Sequence, residues 1–547
     1  MTSFASLADA FLKEEYDTSP VLASSLGLTE HDERLDDLSA TAIERKEAAD
    51  SEWLRRFSGV PDDGLAPAEA IDRDFVVSIL RGREIARPLR MWRRQPAVYL
   101  NPASQGVFLL FLHRLRPEGE LAGAARARLE RVPAVIEAGI ANLDLAATPR
   151  VYLERAIGQA GATARYLREL VPAEVRDPAA RERVAAAGDV AAKAVGRFKA
   201  HLEAGREAAK GTYAVGEEVY SRLLKEKELL PYDARALRER GREQWDLLAA
   251  DAARLAKEIS GSEDWVGLLE RLNKVHAPDP EGMRREYEEW TERARAFFRD
   301  RGLGTLPEGE RCVVEPSPPF QRPILAVASY NRPPAFSRSL TGHFFVPFPP
   351  DGTAPDEVAK RLEGNSTDGI PTTSVHEAYP GHHWHLVMAK SNPSRIRSTF
   401  STSYFSEGWA LYAERMMREQ GFFTDPKQLL YQYEATIFRA ARVVVDTSLH
   451  MGEMTFDEAV KFMMAKGNLS EPNAKAEVGR YCSWPTQASA YLTGMLEILD
   501  IRTRWLARRG RSDTAALREF HDSITTSGAM PTSLAERAIA APEPATA

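Results

Sequence analysis

Apolar side chains recur at helical spacing through most of this chain. Near the N-terminus, Leu7, Ala10 and Phe11, followed by Glu14, open an amphipathic stretch. Residues 180–210 are rich in Ala, Glu, Arg and Lys, all strong helix formers, and Val184, Val190, Val195 and Phe198 are read as one apolar stripe. A second long helix is predicted over Ala234–Ile259, with Leu237, Trp245, Leu248, Ala252 and Leu255 turned inward. Polar turns such as GVPDDGLAP at 59–67 and HAPDPEG at 276–282 punctuate these helices. No fixed-period repeat occurs, and the Arg and Glu runs read as solvated faces laced by i,i+4 pairs.

The texture changes between Pro307 and Pro350, which holds ten of the 34 prolines. Each proline lacks an N–H and restrains the residue before it, so helix is excluded over most of this stretch. Three β-prone pieces survive, Cys312–Val314, Ile324–Val327 and His343–Val346, and predict a small sheet. Helical patterning returns from about Thr372 to Arg508, and the tail AAPEPATA is expected to fray. The expected organisation is mainly α: a helical scaffold over 1–301, a Pro-rich segment with short strands over 302–371, and a helical part over 372–547 that carries the chemistry.

Composition narrows the class. The chain of 547 residues has 44% apolar and 28% charged residues, ordinary for a globular protein. Its net charge of −7 lacks the basic footprint of a nucleic-acid binder and suits a small or peptidic substrate better than a polyanion. With two cysteines, Cys312 and Cys482, there is no disulfide framework, and a reducing compartment is expected. No apolar run reaches the ~18 residues of a membrane span, and the N-terminus lacks a secretory pattern. The expectation is a cytoplasmic protein with no membrane or nucleic-acid partner.

Histidine is the informative residue. Of 11 in the chain, four lie between His376 and His385, in the string His376-Glu377-Ala378-Tyr379-Pro380-Gly381-His382-His383-Trp384-His385. A zinc-peptidase helix carries two His one turn apart, with a Glu beside the first acting as general base. Here the next His is six residues on. Six residues turn ~600° in a straight helix, so His376 and His382 cannot both reach one metal unless the helix is broken. Pro380-Gly381 is suited to such a break, and a two-residue bulge restores the one-turn geometry. His383 shares the face of His376 but lies ~10 Å along the axis, which makes it the rival to His382. Glu407, in Ser406-Glu407-Gly408-Trp409, is the candidate third ligand; two His and one Glu with an open position is a catalytic zinc arrangement. Glu414 lies two turns later on the same face, as a partner for a ligating His or a surface ion pair. The competing reading is a polar loop or core histidines satisfied by hydrogen bonds.

The string HEAYPGHH, followed by SEGWALYAE, resembles the bacterial domain-of-unknown-function 885 family, whose members are similar to helical zinc metallopeptidases. Leu28–Leu35, Arg442–His450, Arg480-Tyr481, Trp484–Ala488 and Tyr491 resemble further blocks of that family, so the resemblance covers most of the chain. It implies a single family-wide fold over 1–547: large, mainly helical, two-lobed and metallopeptidase-like, with a deep cleft and a small sheet between the halves. It also implies a peptidase-like site, with His376, His382 and Glu407 holding one zinc ion and Glu377 as base. A donor to the developing oxyanion is expected among Tyr491, Tyr481, Arg480 and His450, with Tyr491 ranked first on resemblance. Each also has a plain structural role: Tyr at a helix contact, Arg in an ion pair, His450 bonded to Asp446.

The expected function is a metal-dependent hydrolase, a zinc peptidase acting on a peptide or small amide. His343–Val346 is read either as an edge strand that pairs with an extended peptide or as a buried strand. The alternatives are a non-hydrolytic enzyme of the two-His-one-carboxylate iron type, in which Glu377 has no evident task, and a non-catalytic helical binding protein.

Overall fold

The first helix, Phe4–Thr18, starts where Ser3 accepts the backbone N–H of Ser6. Its buried stripe is Leu7, Ala8, Phe11, Leu12, Glu15 and Tyr16, so Ala10 faces solvent. The computed structural model describes residues 3–319, 321–322, 327–350 and 352–540. The expected strand Ile324–Val327 falls mostly outside the described residues, as does the expected frayed tail beyond Ala540. By its internal contacts the chain divides into two units, one running to Tyr213 with the return segment Pro334–Arg338, the other built chiefly of 214–318 and 339–547.

Among the described residues, the regular elements of the first unit are all helices. The helices Ala97–His113, Glu118–Asn142, Arg150–Arg165 and Pro178–Ala204 bury one core, with Tyr99, Leu129, Ile136, Leu153, Val195 and Phe198 among its members. Val190, expected in that stripe, is 54% exposed. The step of six residues from Val184 rotates it ~240° off the buried face, whereas Ala187, Ala191, Ala194 and Val195 fill that face.

Glu15 is a buried carboxylate in this unit. It accepts both Arg83 Nη atoms at 2.8 and 2.9 Å and Lys46 Nζ at 2.9 Å. Burial would raise this carboxyl, but Arg83 and Lys46 outweigh it and hold Glu15 down to about 2, against an ordinary 4.5. A depressed carboxyl contributes stability that is complete above the unfolded pKa and lost as pH falls through the folded one. Glu15→Gln is therefore expected to cost about 3 kcal/mol at neutral pH. The deficit should shrink between pH 4.5 and 2, as read from unfolding of the two proteins at pH 7 and pH 2.5.

The second unit holds a three-stranded sheet of β1 (Arg311–Pro316), β2 (Ser329–Asn331) and β3 (Thr341–Val346). Their order is β1-β3-β2, with β1 parallel and β2 antiparallel to β3. His343–Val346 is therefore the central strand, paired on both sides and with Phe344, Phe345 and Val346 buried. The edge-strand reading is overturned, because both backbone edges of β3 are already used.

The remaining elements that position the site are helices. They are α1 (Ile370–Glu377), α2 (His382–Ala389), α3 (Ser403–Glu419), α4 (Pro426–His450), α5 (Glu471–Ser483) and α6 (Ala490–Arg509). The predicted helix over Ala234–Ile259 is found at Ala234–Ser260 and packs on α4, where Gly241 admits the Val443 side chain. Two glycines, Gly408 on α3 and Gly494 on α6, face one another so closely that a Cβ on Gly494 would stand 1.8 Å from the Tyr404 carbonyl oxygen. That crossing brings the first turns of α3 and α6 together, and with them Glu407 and Tyr491. Among the described residues, no helix is long and apolar enough to cross a membrane.

Candidate metal centre

The helix carrying His376 and Glu377 stops at Glu377 and restarts at His382. Across the break, Gly381 N–H donates to Val375 O at 3.0 Å and Trp384 N–H to Ala378 O at 3.2 Å. Each bond spans six residues where a helix spans four, so two residues are looped out. Pro380, which cannot donate, lies inside that loop, and its bond to Tyr379 is cis. The break is a full interruption rather than a bulge within one helix. Its effect is the expected one: His382 swings onto the face of His376.

The two imidazoles meet edge to face, their centroids 4.9 Å apart. Glu407, one turn into α3, comes to 3.2 Å from His382 Nε2 and 3.8 Å from His376 Nε2 through Oε2. One ligand-type atom from each of His376, His382 and Glu407 lies within 4.8 Å of the others. The other nitrogen of His376, Nδ1, sits 2.7 Å from Glu414 Oε1, deep in the protein. This hydrogen bond fixes the ring so that Nε2 points at Glu407 and His382, the support that metal-ligating histidines commonly have. Donor set and orientation both fit a zinc ion.

The charges are strongly coupled. Burial alone would depress His376, but the Glu407 and Glu414 carboxylates outweigh it and push it up to about 9. Burial would raise Glu407, yet the two imidazoles hold it well below the usual carboxylate range. Glu377 is 8% exposed. Burial raises its carboxyl, an effect moderated by His376 and His382. Such a group is a better proton acceptor than a free carboxylate.

His383 does not join the cluster. It is fully buried, with Nε2 2.8 Å from Glu310 and Nδ1 2.8 Å from the Tyr330 hydroxyl. Glu310 also accepts from Tyr379 and Arg295, so His383 serves a buried network that anchors the break to β1 and β2.

The four expected oxyanion donors divide. Tyr491 lies beside the cluster, its ring stacked on His376 at 6.3 Å and 18°. Its hydroxyl accepts only a long bond, 3.4 Å, from Gln487 Nε2. Burial and Glu407 raise its phenol, against Arg442 and Arg480, so it keeps its proton at neutral pH. Arg480 is engaged by Glu477 at 2.9 Å and by Gln487. Tyr481 donates to Glu477 at 2.8 Å and accepts from Arg442 Nε at 3.0 Å. His450 places Nε2 3.0 Å from the Tyr481 carbonyl and 3.6 Å from Asp446, beyond hydrogen-bond reach of the latter, in a buried network with Tyr220.

Sequence reasoning passed over Arg439 and placed Arg442 only at the head of a block that resembles the family, with no role at the site. The available signal was a pair of arginines one turn apart at the head of the apolar run Val443-Val444-Val445.

Fold and site together define a large, mainly α-helical protein with a half-buried two-histidine, one-glutamate centre on a broken His-Glu helix. The chain belongs to the domain-of-unknown-function 885 family, described as bacterial proteins of unknown function, which it matches over residues 20–539. Two solved structures share its fold. A candidate lipoprotein of unknown function from Shewanella oneidensis is 21% identical with a TM-score of 0.77, over 98% of this chain and 99% of that one. A candidate lipoprotein from Colwellia psychrerythraea is 19% identical with a TM-score of 0.81, over 99% of each chain. No curated protein matches the chain.

Proposed function

We propose that the protein is a metal-dependent hydrolase, a zinc peptidase or amidase, with His376, His382 and Glu407 as ligands and Glu377 as general base. The observation that carries this reading is the convergence of those three ligand atoms within 4.8 Å, from three helices of which the first two are joined through the Pro380-Gly381 break, next to a buried carboxyl. When bound there, zinc supplies polarisation of the scissile carbonyl and acidifies the attacking water. Glu377 accepts the water proton and returns it to the leaving amine. The Tyr491 hydroxyl, kept protonated by burial, donates to the oxygen on which charge develops. Glu414 holds the His376 ring, while Arg480 and Tyr481 hold Glu477 and position the helices behind Tyr491. A non-hydrolytic metal enzyme leaves Glu377 without a task, which favours hydrolysis.

The test is metal analysis joined to a peptide library read by mass spectrometry. About one zinc per chain is expected, as a three-ligand site predicts. Chelation should abolish cleavage, and one equivalent of zinc should restore it. Full cleavage by the chelated protein, or no cleavage of any peptide or amide by the zinc-loaded one, overturns the proposal.

A further inference from the structure

Helix α4 carries two guanidinium groups one turn apart, Arg439 and Arg442, both near the Tyr491 ring. Their Cζ atoms lie 5.9 and 4.5 Å from its centroid. Arg442 is 5% exposed. Its Nε donates to the Tyr481 hydroxyl at 3.0 Å and Nη2 to Glu477 at 2.8 Å, but Nη1 is buried with no hydrogen-bond partner. Glu477 is not Arg442's alone, because Arg480 binds the same oxygen at 2.9 Å. Arg439 is half-buried; Nη1 donates to the Ala435 carbonyl at 3.0 Å, and its buried Nε has no partner. Its charge acts on Glu377 and on Glu434, a half-buried carboxyl bonded to Asn468. Of the three guanidiniums near Tyr491, Arg442 and Arg480 thus share one hydrogen-bonding carboxylate, Glu477, while Glu407 acts on Tyr491, and Glu377 and Glu434 on Arg439, through charge alone. An unpaired N–H on a buried cation is costly to keep, and it is the donor best suited to an anionic ligand.

Its position relative to the cluster narrows the ligand. Arg442 Cζ lies 4.5 Å and the His376 ring 6.3 Å from the centre of the Tyr491 ring, so the guanidinium stands within about 11 Å of the imidazole. A peptide in extended form advances ~3.5 Å per residue. That distance matches a carboxylate one to three residues beyond a carbonyl held at the cluster. A carboxylate is planar and takes two parallel N–H bonds from a guanidinium, as the arginine fork requires.

We propose that Arg442, supported by Arg439, binds the free C-terminal carboxylate of a short peptide, which makes this site selective for cleavage within a few residues of a C-terminus. The proposal rests on the hydrolase reading for its substrate. It extends that reading by naming the end of the peptide that is recognised.

Binding tests it separately from turnover. Zinc-loaded Glu377→Gln protein is titrated calorimetrically with acetylated alanine peptides of two to four residues, each as free acid and as C-terminal amide. The free acid is expected to bind about tenfold or more tighter than the amide, as for loss of a charged hydrogen bond. Adding Arg442→Gln should bring the ratio towards one, and Arg442→Lys should restore part of it, since charge returns without the fork. If Arg442→Gln fails to fold, Arg439→Gln, at a half-buried position, should still lower the ratio severalfold. Equal affinities for acid and amide in the parent, or an unchanged ratio in a folded Arg442 or Arg439 variant, overturn the carboxylate site. Peptide cleavage by the wild type alongside equal affinities would leave the hydrolase reading standing. Acid-selective binding with no cleavage of any peptide would sink the hydrolase reading and keep the carboxylate site.

Discussion

Glu377→Gln is expected to lower kcat by roughly 10³- to 10⁴-fold, while the protein keeps its zinc and its fold. The amide occupies the same volume but cannot take a proton, so the loss falls on proton transfer and amounts to about 4–5 kcal/mol of barrier. Metal content should be unchanged, because the converging ligand atoms belong to His376, His382 and Glu407. Stability should be unchanged or slightly higher. Burial raises the Glu377 carboxyl, so its charged form is held against a desolvation cost that a neutral amide escapes. The decisive measurement is single-turnover cleavage of the best library peptide, with zinc determined on the same sample. A variant that retains more than about a tenth of wild-type turnover, well short of the general-base range, excludes Glu377 as the base.

The pairing of His376-Glu377 with a near-turn His was legible in the sequence because local rules generate it. A His-Glu pair, a Pro-Gly three residues later and a His after that predict a broken helix from residue chemistry alone. Glu414 was legible for the same reason, since seven residues from Glu407 are two turns of one helix face. The rest depends on contacts distant in sequence. His382 and His383 differ by one position, and what separates them is Glu310 and Tyr330, brought in by the sheet segment. The strand His343–Val346 shows its β character in its residues, yet its central place in the sheet depends on which strands flank it. The same holds for Arg442: its place in a buried helix is visible in the pattern, but the shared Glu477 and the neighbouring Tyr491 come from α5 and α6. The approach of Gly408 to Gly494, which sets Glu407 beside Tyr491, leaves no local signal beyond two small residues.

The second large effect is expected at a residue that touches no substrate. Gly381→Ala should lower the melting temperature by roughly 1–4 °C and weaken zinc binding by about a hundredfold. A Cβ built on Gly381 would lie 1.9 Å from the His376 carbonyl oxygen and 2.4 Å from that of Val375. Both are backbone atoms of the helix that carries the first ligand, so no side chain can rotate away to make room. The methyl can be accommodated only if α1 and α2 separate, which also strains the Gly381 N–H bond to Val375 at 3.0 Å. Because His382 directly follows Gly381, the displacement passes to the second ligand. Metal sites tolerate only ~0.2 Å of change in ligand distance, so even a small shift removes that ligand from the set. Gly158→Ala is the control: it lies inside the helix Arg150–Arg165 with open space around its Cβ, and is expected to be neutral or to stabilise by up to about 1 kcal/mol. If Gly381→Ala binds zinc as tightly as the wild type, the close packing of the break does not set the position of His382, and its two-residue loop has some other use.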